Sequence, residues 1–164
     1  MIVYRIPDTT PALACANRRR AVRLANAARS GVLAGAALAA VLMFLSVTVY
    51  DESIWRLPRM IAATVLGPGV LQPEDAFDGR VVLTMLALQL DLGIACALAL
   101  TRVAGRLQGL GLAALGLGFG VALYGLDLYA LPLAFPWLAE LRSVDTFMAH
   151  LLFGLLATAP AKVD

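Results

Sequence analysis

Two titratable residues in the C-terminal third of the chain have the side chains needed to move a proton or to orient a ligand. Asp127 falls near the end of an apolar run, and His150 falls one to two helical turns into the next run. If both runs form helices, the two side chains lie at a similar level, together with Tyr124 and Tyr129. An Asp–His pair can relay a proton, and it can equally be a polar contact that fixes the register of two helices. We expect the structural contact, with the chemical role as the alternative.

A third acid interrupts another apolar run. Asp91 lies about ten residues from either end of that run, some 15 Å along a helix. A carboxylate at the centre of a membrane span is costly, which makes such a residue a functional-site candidate by default. The alternative is an acid that hydrogen-bonds a neighbouring helix and ties the two together. Gln89 is two residues away and is expected to face elsewhere. The candidate polar site therefore consists of Asp91, Asp127, His150 and Tyr124.

Motifs of known catalytic and cofactor sites are absent from the sequence. It contains no phosphate-binding loop, no Gly-x-Ser-x-Gly, no His-Glu-x-x-His and no dinucleotide fingerprint. Its two cysteines, Cys15 and Cys96, lie in a polar and an apolar segment, so we expect no disulfide between them. A single histidine cannot supply two axial haem ligands. We expect no catalytic residue, no metal and no cofactor, and the sequence argues against an enzyme.

The composition shows what must position these polar residues. Of the 164 residues, 61% are hydrophobic and 15% are charged, whereas soluble domains have about 45–50% apolar and about 25% charged residues. The net charge of +2 is too small to suggest a nucleic-acid partner. We therefore predict an all-α polytopic membrane protein. Four runs are apolar enough to cross about 30 Å of hydrocarbon, namely 31–50, 81–101, 109–131 and 144–160.

A shorter apolar run, "LPRMIAATVL" (57–66), has a different interpretation. As a helix it measures roughly 14 Å, which is too short to cross the hydrocarbon core. Pro58 suits the first turn of a helix, and Gly67-Pro68-Gly69 ends it. We expect a short interfacial or re-entrant helix here, with Trp55 at the level of the lipid headgroups.

Residues 1–30 are expected to form a basic cytoplasmic segment ahead of a four-helix transmembrane domain at 31–161. The stretch "CANRRRAVRLANAARS" has high helix propensity. We expect an amphipathic helix that anionic lipids hold at the membrane surface. The arginines assigned to this interface are Arg18, Arg19, Arg20 and Arg23.

Arginine and lysine are unevenly distributed between the predicted loops. With the N-terminus inside, nine lie on the cytoplasmic side and four on the outer side, where most of the acids also lie. This positive-inside bias predicts that both termini are cytoplasmic. On the outer side, Arg59, Arg142 and Trp137 are expected at the lipid interface, where long side chains snorkel towards the headgroups.

Small residues recur at four-residue spacing in two of the apolar runs. In lipid, helices associate through close backbone packing, and small residues mark the contact faces. We expect contacts within the chain's own bundle, with another membrane subunit or a second copy as the alternative partner. The packing residues are predicted to be Gly31, Gly35, Gly109, Ala113, Gly116 and Gly120.

Two outer loops hint at an internal duplication. "SIWRLPRM" follows the first run and "FPWLAELRS" follows the third, and each contains a Trp, a Pro and an Arg. A parallel repeat of two plus two spans would explain this similarity.

Two stretches also resemble known sequences. "PRMIAATVLGPGVL" (58–71) and "YALPLAFPWLAELRSVDTFMAHLLFGL" (129–155) are similar to a group of small four-span bacterial inner-membrane proteins of unknown function. The resemblance covers roughly residues 31–158. It implies a four-span topology and a bacterial inner membrane, and it assigns no activity to any residue.

These observations favour two functions over a third, a membrane enzyme or cofactor carrier that uses the outer polar cluster. The first is an accessory or structural subunit that acts through helix–helix association in a membrane complex or homo-oligomer, with the lipid bilayer and other subunits as partners. The alternative is a small oligomeric transporter or channel that uses Asp91 or the Asp127/His150 pair.

Overall fold

The protein is built from helices. The computed structural model describes residues 10–104 and 107–158, and within these ranges there is no β-strand. The all-α prediction is therefore confirmed. Residues 1–9 of the predicted basic segment and residues 159–161 of the predicted transmembrane domain lie outside the described ranges. The α-helices are α1 (Thr10–Thr48), α2 (Arg56–Leu66), α3 (Gly79–Val103), α4 (Leu110–Gly125) and α5 (Val144–Thr158).

The first helix extends well beyond the first predicted span. It runs unbroken for 39 residues, or about 58 Å. Ala-rich sequence on both sides of residue 31 favours helix, and no proline interrupts it there. From Thr10 onwards, the basic sequence and the first apolar run therefore lie on one continuous helix.

Among the described residues, three segments are long and apolar enough to cross a membrane by length and composition. They are Leu13–Thr48, Gly79–Val103 and Leu110–Leu133, the last of which includes the turns after α4. The fourth predicted span corresponds to α5, which is apolar but has only 15 residues.

The predicted short helix at 57–66 is present as α2. Gly67 ends it with φ of +85°, and its N–H donates to the carbonyl of Ala63. Leu57, Met60 and Ala62 are buried, and α2 packs against α3. One side of this short helix therefore packs against the bundle.

Glycines join α1 to α3. A Cβ placed on Gly35 would lie 2.8 Å from the carbonyl oxygen of Gln89, and Gly31 lies equally close to the backbone of Gly93. The contacts run in opposite sequence directions, so the helices are antiparallel. Backbones this close require residues without side chains.

The same arrangement joins α4 to α5. A Cβ on Gly116 would lie 2.8 Å from the carbonyl oxygen of Gly154, and one on Gly120 would lie 2.5 Å from that of His150. In the first helix pair, two glycines four residues apart contact Gln89 and Gly93. In the second, two glycines with the same spacing contact His150 and Gly154. This repeated packing unit supports the predicted internal duplication.

Two of the six predicted packing residues behave differently. Gly109 precedes α4 with φ of +53°, and a side chain there would meet open space. Gly109 is thus needed for a turn. Ala113 is half-buried and lies outside both glycine contacts. The other four pack within this chain, so these contacts need no partner.

The two pairs meet through α1 and α5, around a core that includes Ala34, Leu100, Leu123 and Phe153. If the two helix pairs were related by an exact repeat, α3 would pack against α4 as α1 packs against α5. However, α3 and α4 do not pack closely. This asymmetry leaves space beside α3.

Candidate functional site

The structure brings Asp127 and His150 together. Asp127 Oδ2 lies 3.4 Å from Nε2 of His150. The histidine is 3% exposed, and the aspartate is half-buried. The sequence placed these residues at one level, and the packing of α4 on α5 turns them towards each other.

The second ring nitrogen fixes where the histidine proton lies. His150 Nδ1 is 2.7 Å from the carbonyl oxygen of Thr146. A carbonyl oxygen only accepts, so Nδ1 must carry a proton and donate it. Nε2 therefore faces the Asp127 carboxyl group, and a hydrogen bond between the two side chains needs a proton on one of them.

Asp127 lies in a distorted turn. Residues Leu126–Ala130 form a π turn, in which the N–H of Leu131 donates to the carbonyl of Leu126. Pro132 has no N–H to donate to the carbonyl of Leu128. That carbonyl instead accepts from Arg142 Nε at 2.6 Å. Single π turns are frequent at functional sites, since they displace one side chain from the regular helical face.

Two aromatic residues support this geometry. The ring of Tyr124 meets His150 edge to face at 5.5 Å between centroids, and its hydroxyl donates to the carbonyl of Ser143. Tyr129 lies under the Arg142 guanidinium, 4.5 Å from ring centroid to Cζ. Tyr124 therefore positions the histidine and does not line the cavity described next.

The Asp127–His150 pair forms part of the wall of a cavity of about 260 Å³. Ten of its fifteen lining residues are leucine or isoleucine, and the other five are Thr64, Gln89, Asp127, Thr146 and His150. Leu88 and Leu92 of α3 face the π turn across it, where the repeat would have placed an α3–α4 contact. The cavity thus occupies the open side of the junction between the two helix pairs.

One end of the cavity is covered by two short elements. Leu57 and Ile61 of α2 contribute from one side, and Leu138 and Leu141 of the 3₁₀ segment Pro136–Leu141 contribute from the other. The indole Nε1 of Trp137 donates to the carbonyl of Met60 at 2.9 Å. This bond joins the two covering elements.

Sequence reasoning did not select Gln89 as a site residue. It is buried, lines the cavity and donates from Nε2 to the carbonyl of Gly35 at 3.3 Å. The sequence signal that could have identified Gln89 is its four-residue spacing from Gly93, which equals the spacing of His150 from Gly154. The two helix pairs therefore place one buried polar side chain each on the same cavity.

Asp91 does not belong to this site. It is exposed on the outer face of α3, and no described residue hydrogen-bonds its carboxylate. The expectation that Gln89 and Asp91 face different ways agrees with the structure. Of the four residues predicted for the polar site, Asp91 lies away from the other three.

The residues predicted for the lipid interface have varied surroundings. Arg59 is 4% exposed, and its guanidinium donates to the carbonyls of Val70 and Ala76. The expectation of a snorkelling arginine is wrong here, because Arg59 holds the loop after α2. Trp55 packs edge to face on Phe77 at 5.1 Å. The four predicted interface arginines, Arg18, Arg19, Arg20 and Arg23, are exposed on α1.

Within the described ranges, no group of three or more His, Cys, Asp or Glu side chains has the arrangement of a metal site. The chain matches no protein-family profile, and neither a curated protein nor a solved structure is significantly similar to it. The candidate function therefore rests on the geometry of the cavity and its polar wall.

Proposed function

We propose that this chain is an integral membrane protein that crosses a bacterial inner membrane four times, with both termini in the cytoplasm. The three long apolar segments and the shorter α5 support it, as does the bias of arginine towards one end. At about 58 Å, α1 exceeds the roughly 30 Å of hydrocarbon, so its basic part extends beyond the bilayer. The bacterial origin rests on the resemblance of residues 31–158.

Within the membrane, the protein binds a lipophilic molecule that carries a hydroxyl group. The observation that carries this proposal is the buried Asp127–His150 pair on the wall of a cavity that is otherwise mostly aliphatic. Ligand sites are typically apolar with a few convergent polar groups. With Nδ1 of His150 bonded to Thr146 and Nε2 facing Asp127, the carboxyl oxygens of Asp127 keep lone pairs that can accept from a hydroxyl group.

A carrier or transporter role fits this site better than a channel. The polar groups of the two helix pairs meet at their junction, and transporters built from repeats commonly bind substrates at such a junction. The aliphatic lining offers few groups to replace the hydration shell of an ion. A molecule that partitions into lipid can enter from the side where α3 and α4 do not pack.

Photolabelling tests the proposal. The full chain in phosphatidylcholine nanodiscs is exposed to a long-chain alcohol with a diazirine, or to the matching alkane without the hydroxyl. We expect the alcohol to label cavity residues such as Leu128 and Leu141 preferentially. Asp127→Leu should weaken this binding up to about tenfold, as expected for the loss of one hydrogen bond. Asp91→Leu makes the same change on the exposed face and should have no effect.

A blocking variant completes the test. Leu92 lies at the margin of the cavity and is 37% exposed, so Leu92→Trp fills space without removing a core residue. It should abolish cavity labelling while the protein keeps its melting temperature. Labelling that is equal for alcohol and alkane, or that persists in Leu92→Trp, would contradict the proposed site.

A second function is favoured by one observation, the exposure of Asp91. In a bilayer, an aspartate at the centre of a helix costs about 2.5–3.5 kcal/mol on insertion scales. A helix from another membrane subunit that presents a cation or a hydrogen-bond donor would satisfy it. This is the accessory-subunit function, with α3 as the docking face.

Intact mass of the protein from its native membrane tests the accessory function. A stoichiometric foreign chain that is retained by Asp127→Leu and lost in Asp91→Leu would support it. A second copy lost in the same way would make the partner a homo-oligomer. An unchanged assembly in Asp91→Leu would exclude α3 as the docking face.

A further inference from the structure

A second binding site lies at the opposite end of the bundle from α2. The N-terminal part of α1 and the last turn of α3 form an open cleft of about 640 Å³. Arg19, Arg20 and Arg23 line it from α1, and Thr101 and Arg102 line it from α3. The sequence assigned the α1 arginines to a diffuse surface contact and did not select Arg102.

The packing of the two helices explains why these residues meet. Gly31 contacts Gly93, and Gly35 contacts Gln89, so residues on α1 and α3 pair in antiparallel register. Two further helical turns in the same register bring Arg23 level with Thr101. The glycine contacts near the centre of the bundle thus set the position of the arginines at its end.

The charge of the cleft is not balanced within the described part of the chain. None of its lining residues is acidic, and no described carboxylate forms an ion pair with its arginines. Seven of the nine described acids lie in the loops at the other end of α1 and α3, before α5 or in its first turn. Four guanidinium groups from two helices therefore share one opening.

We propose that this cleft binds a phosphate group. Guanidinium groups present paired N–H donors that match phosphate oxygens, and such charge-assisted bonds are about twice as strong as neutral ones. Thr101 also lies at the wall, where its hydroxyl donates to the carbonyl of Leu98 and leaves the guanidinium groups as the donors of the cleft. A basic pocket between helices at the cytoplasmic end is also the kind of site that anionic lipid headgroups occupy. The phosphate belongs either to such a lipid or to a soluble anion.

Native mass spectrometry of the full chain separates the two sources. The protein is released from nanodiscs of phosphatidylglycerol or of phosphatidylcholine, and the retained lipid is counted. A parallel titration with inorganic pyrophosphate follows displacement of the lipid and binding of the anion alone. We expect phosphatidylglycerol to be retained as a defined adduct and phosphatidylcholine to be lost. A defined pyrophosphate complex that displaces the lipid also supports the site and makes the source soluble.

Matched variants show whether the cleft or general charge is responsible. Arg102→Gln removes one charge inside the cleft, and Arg18→Gln removes one from the same region of α1 outside it. Arg102→Gln should weaken binding about tenfold, whereas Arg18→Gln should change it less than twofold. Arg102→Lys keeps the charge and loses the paired donors, so it should be intermediate.

Both Arg18 and Arg102 are exposed, so these substitutions leave the core unchanged, and equal melting temperatures check this. Equal losses in Arg18→Gln and Arg102→Gln would overturn the proposal in favour of a non-specific basic surface. Equal retention of the two lipids without a pyrophosphate complex would overturn it as well. The labelling of the central cavity is independent of either result.

Discussion

Gly120 of α4 and His150 of α5 pack backbone against backbone. A Cβ on Gly120 would lie 2.5 Å from the carbonyl oxygen of His150. Because Gly120 has no side chain, α5 can lie close enough to α4 for His150 to face Asp127. The polar pair therefore depends on a close backbone contact between α4 and α5.

This relationship predicts the effect of a single methyl group. Gly120→Ala should push α5 away and destabilise the protein by about 1–3 kcal/mol, as overpacked cores do. Gly118 lies on the same helix with no atom within 4 Å of an added Cβ, so Gly118→Ala is the control. Since alanine favours helix over glycine, that control should be neutral or stabilising. Melting temperatures in detergent compare the two, and equal values would contradict the packing.

The proton arrangement of the pair can be observed directly because the chain has one histidine. We expect the ¹⁵N spectrum of His150 to show a protonated Nδ1, held by the Thr146 carbonyl. Asp127→Asn should shift the Nε2 resonance because the carboxyl group beside it becomes an amide, whereas Asp91→Asn should leave it in place. A spectrum with Nδ1 unprotonated would show that the bond to Thr146 is not formed.

Replacement by leucine should affect the stability of the protein differently at two polar residues on α3. Gln89 is buried and donates to the Gly35 carbonyl, so Gln89→Leu should lower stability by about 1 kcal/mol. Asp91 is exposed and has no described partner, so Asp91→Leu should not destabilise the isolated chain. Chemical unfolding in mixed micelles measures both variants. A larger loss in Asp91→Leu would mean that α3 is rotated from the orientation described above.

The start of α3 should depend on acid pH. The side chain of Asp78 accepts from the Arg80 N–H, and its bonds with Arg80 hold the pKa of this carboxyl below its ordinary value. A lowered folded-state pKa gives a stabilisation that is present above the unfolded pKa and is lost as the pH falls through the folded one. Hydrogen exchange of the Arg80 amide should therefore be less protected below about pH 4. Asp78→Asn does not titrate and should show no such change.

Much of the fold was accessible from the sequence because it depends on local properties. Long uncharged runs such as Gly79–Val103 predict helices, and Pro58 and Gly67 mark the limits of α2. The continuity of α1 across residue 31 did not follow from the distribution of charge. Ala-rich sequence continues a helix whether or not its residues are charged.

The candidate site was accessible only in part. Depth along two helices brought Asp127 and His150 to one level, and their types suggested a pair. The cavity was not accessible, since it results from the missing contact between α3 and α4. The role of Arg59 was also hidden, because its partners are backbone carbonyls of a loop that has no sequence signature.

The sequence by itself determined which segments are helical, that they are apolar, and where the polar residues lie along each of them. Only the tertiary structure decided which way each helix is turned. The α3 sequence has apolar residues on every face of the helix, so no periodic pattern indicates whether Gln89 or Asp91 faces inward. The close approach of Gly31 and Gly35 to α3 fixes that rotation, and with it Gln89 lies on the cavity and Asp91 on the surface.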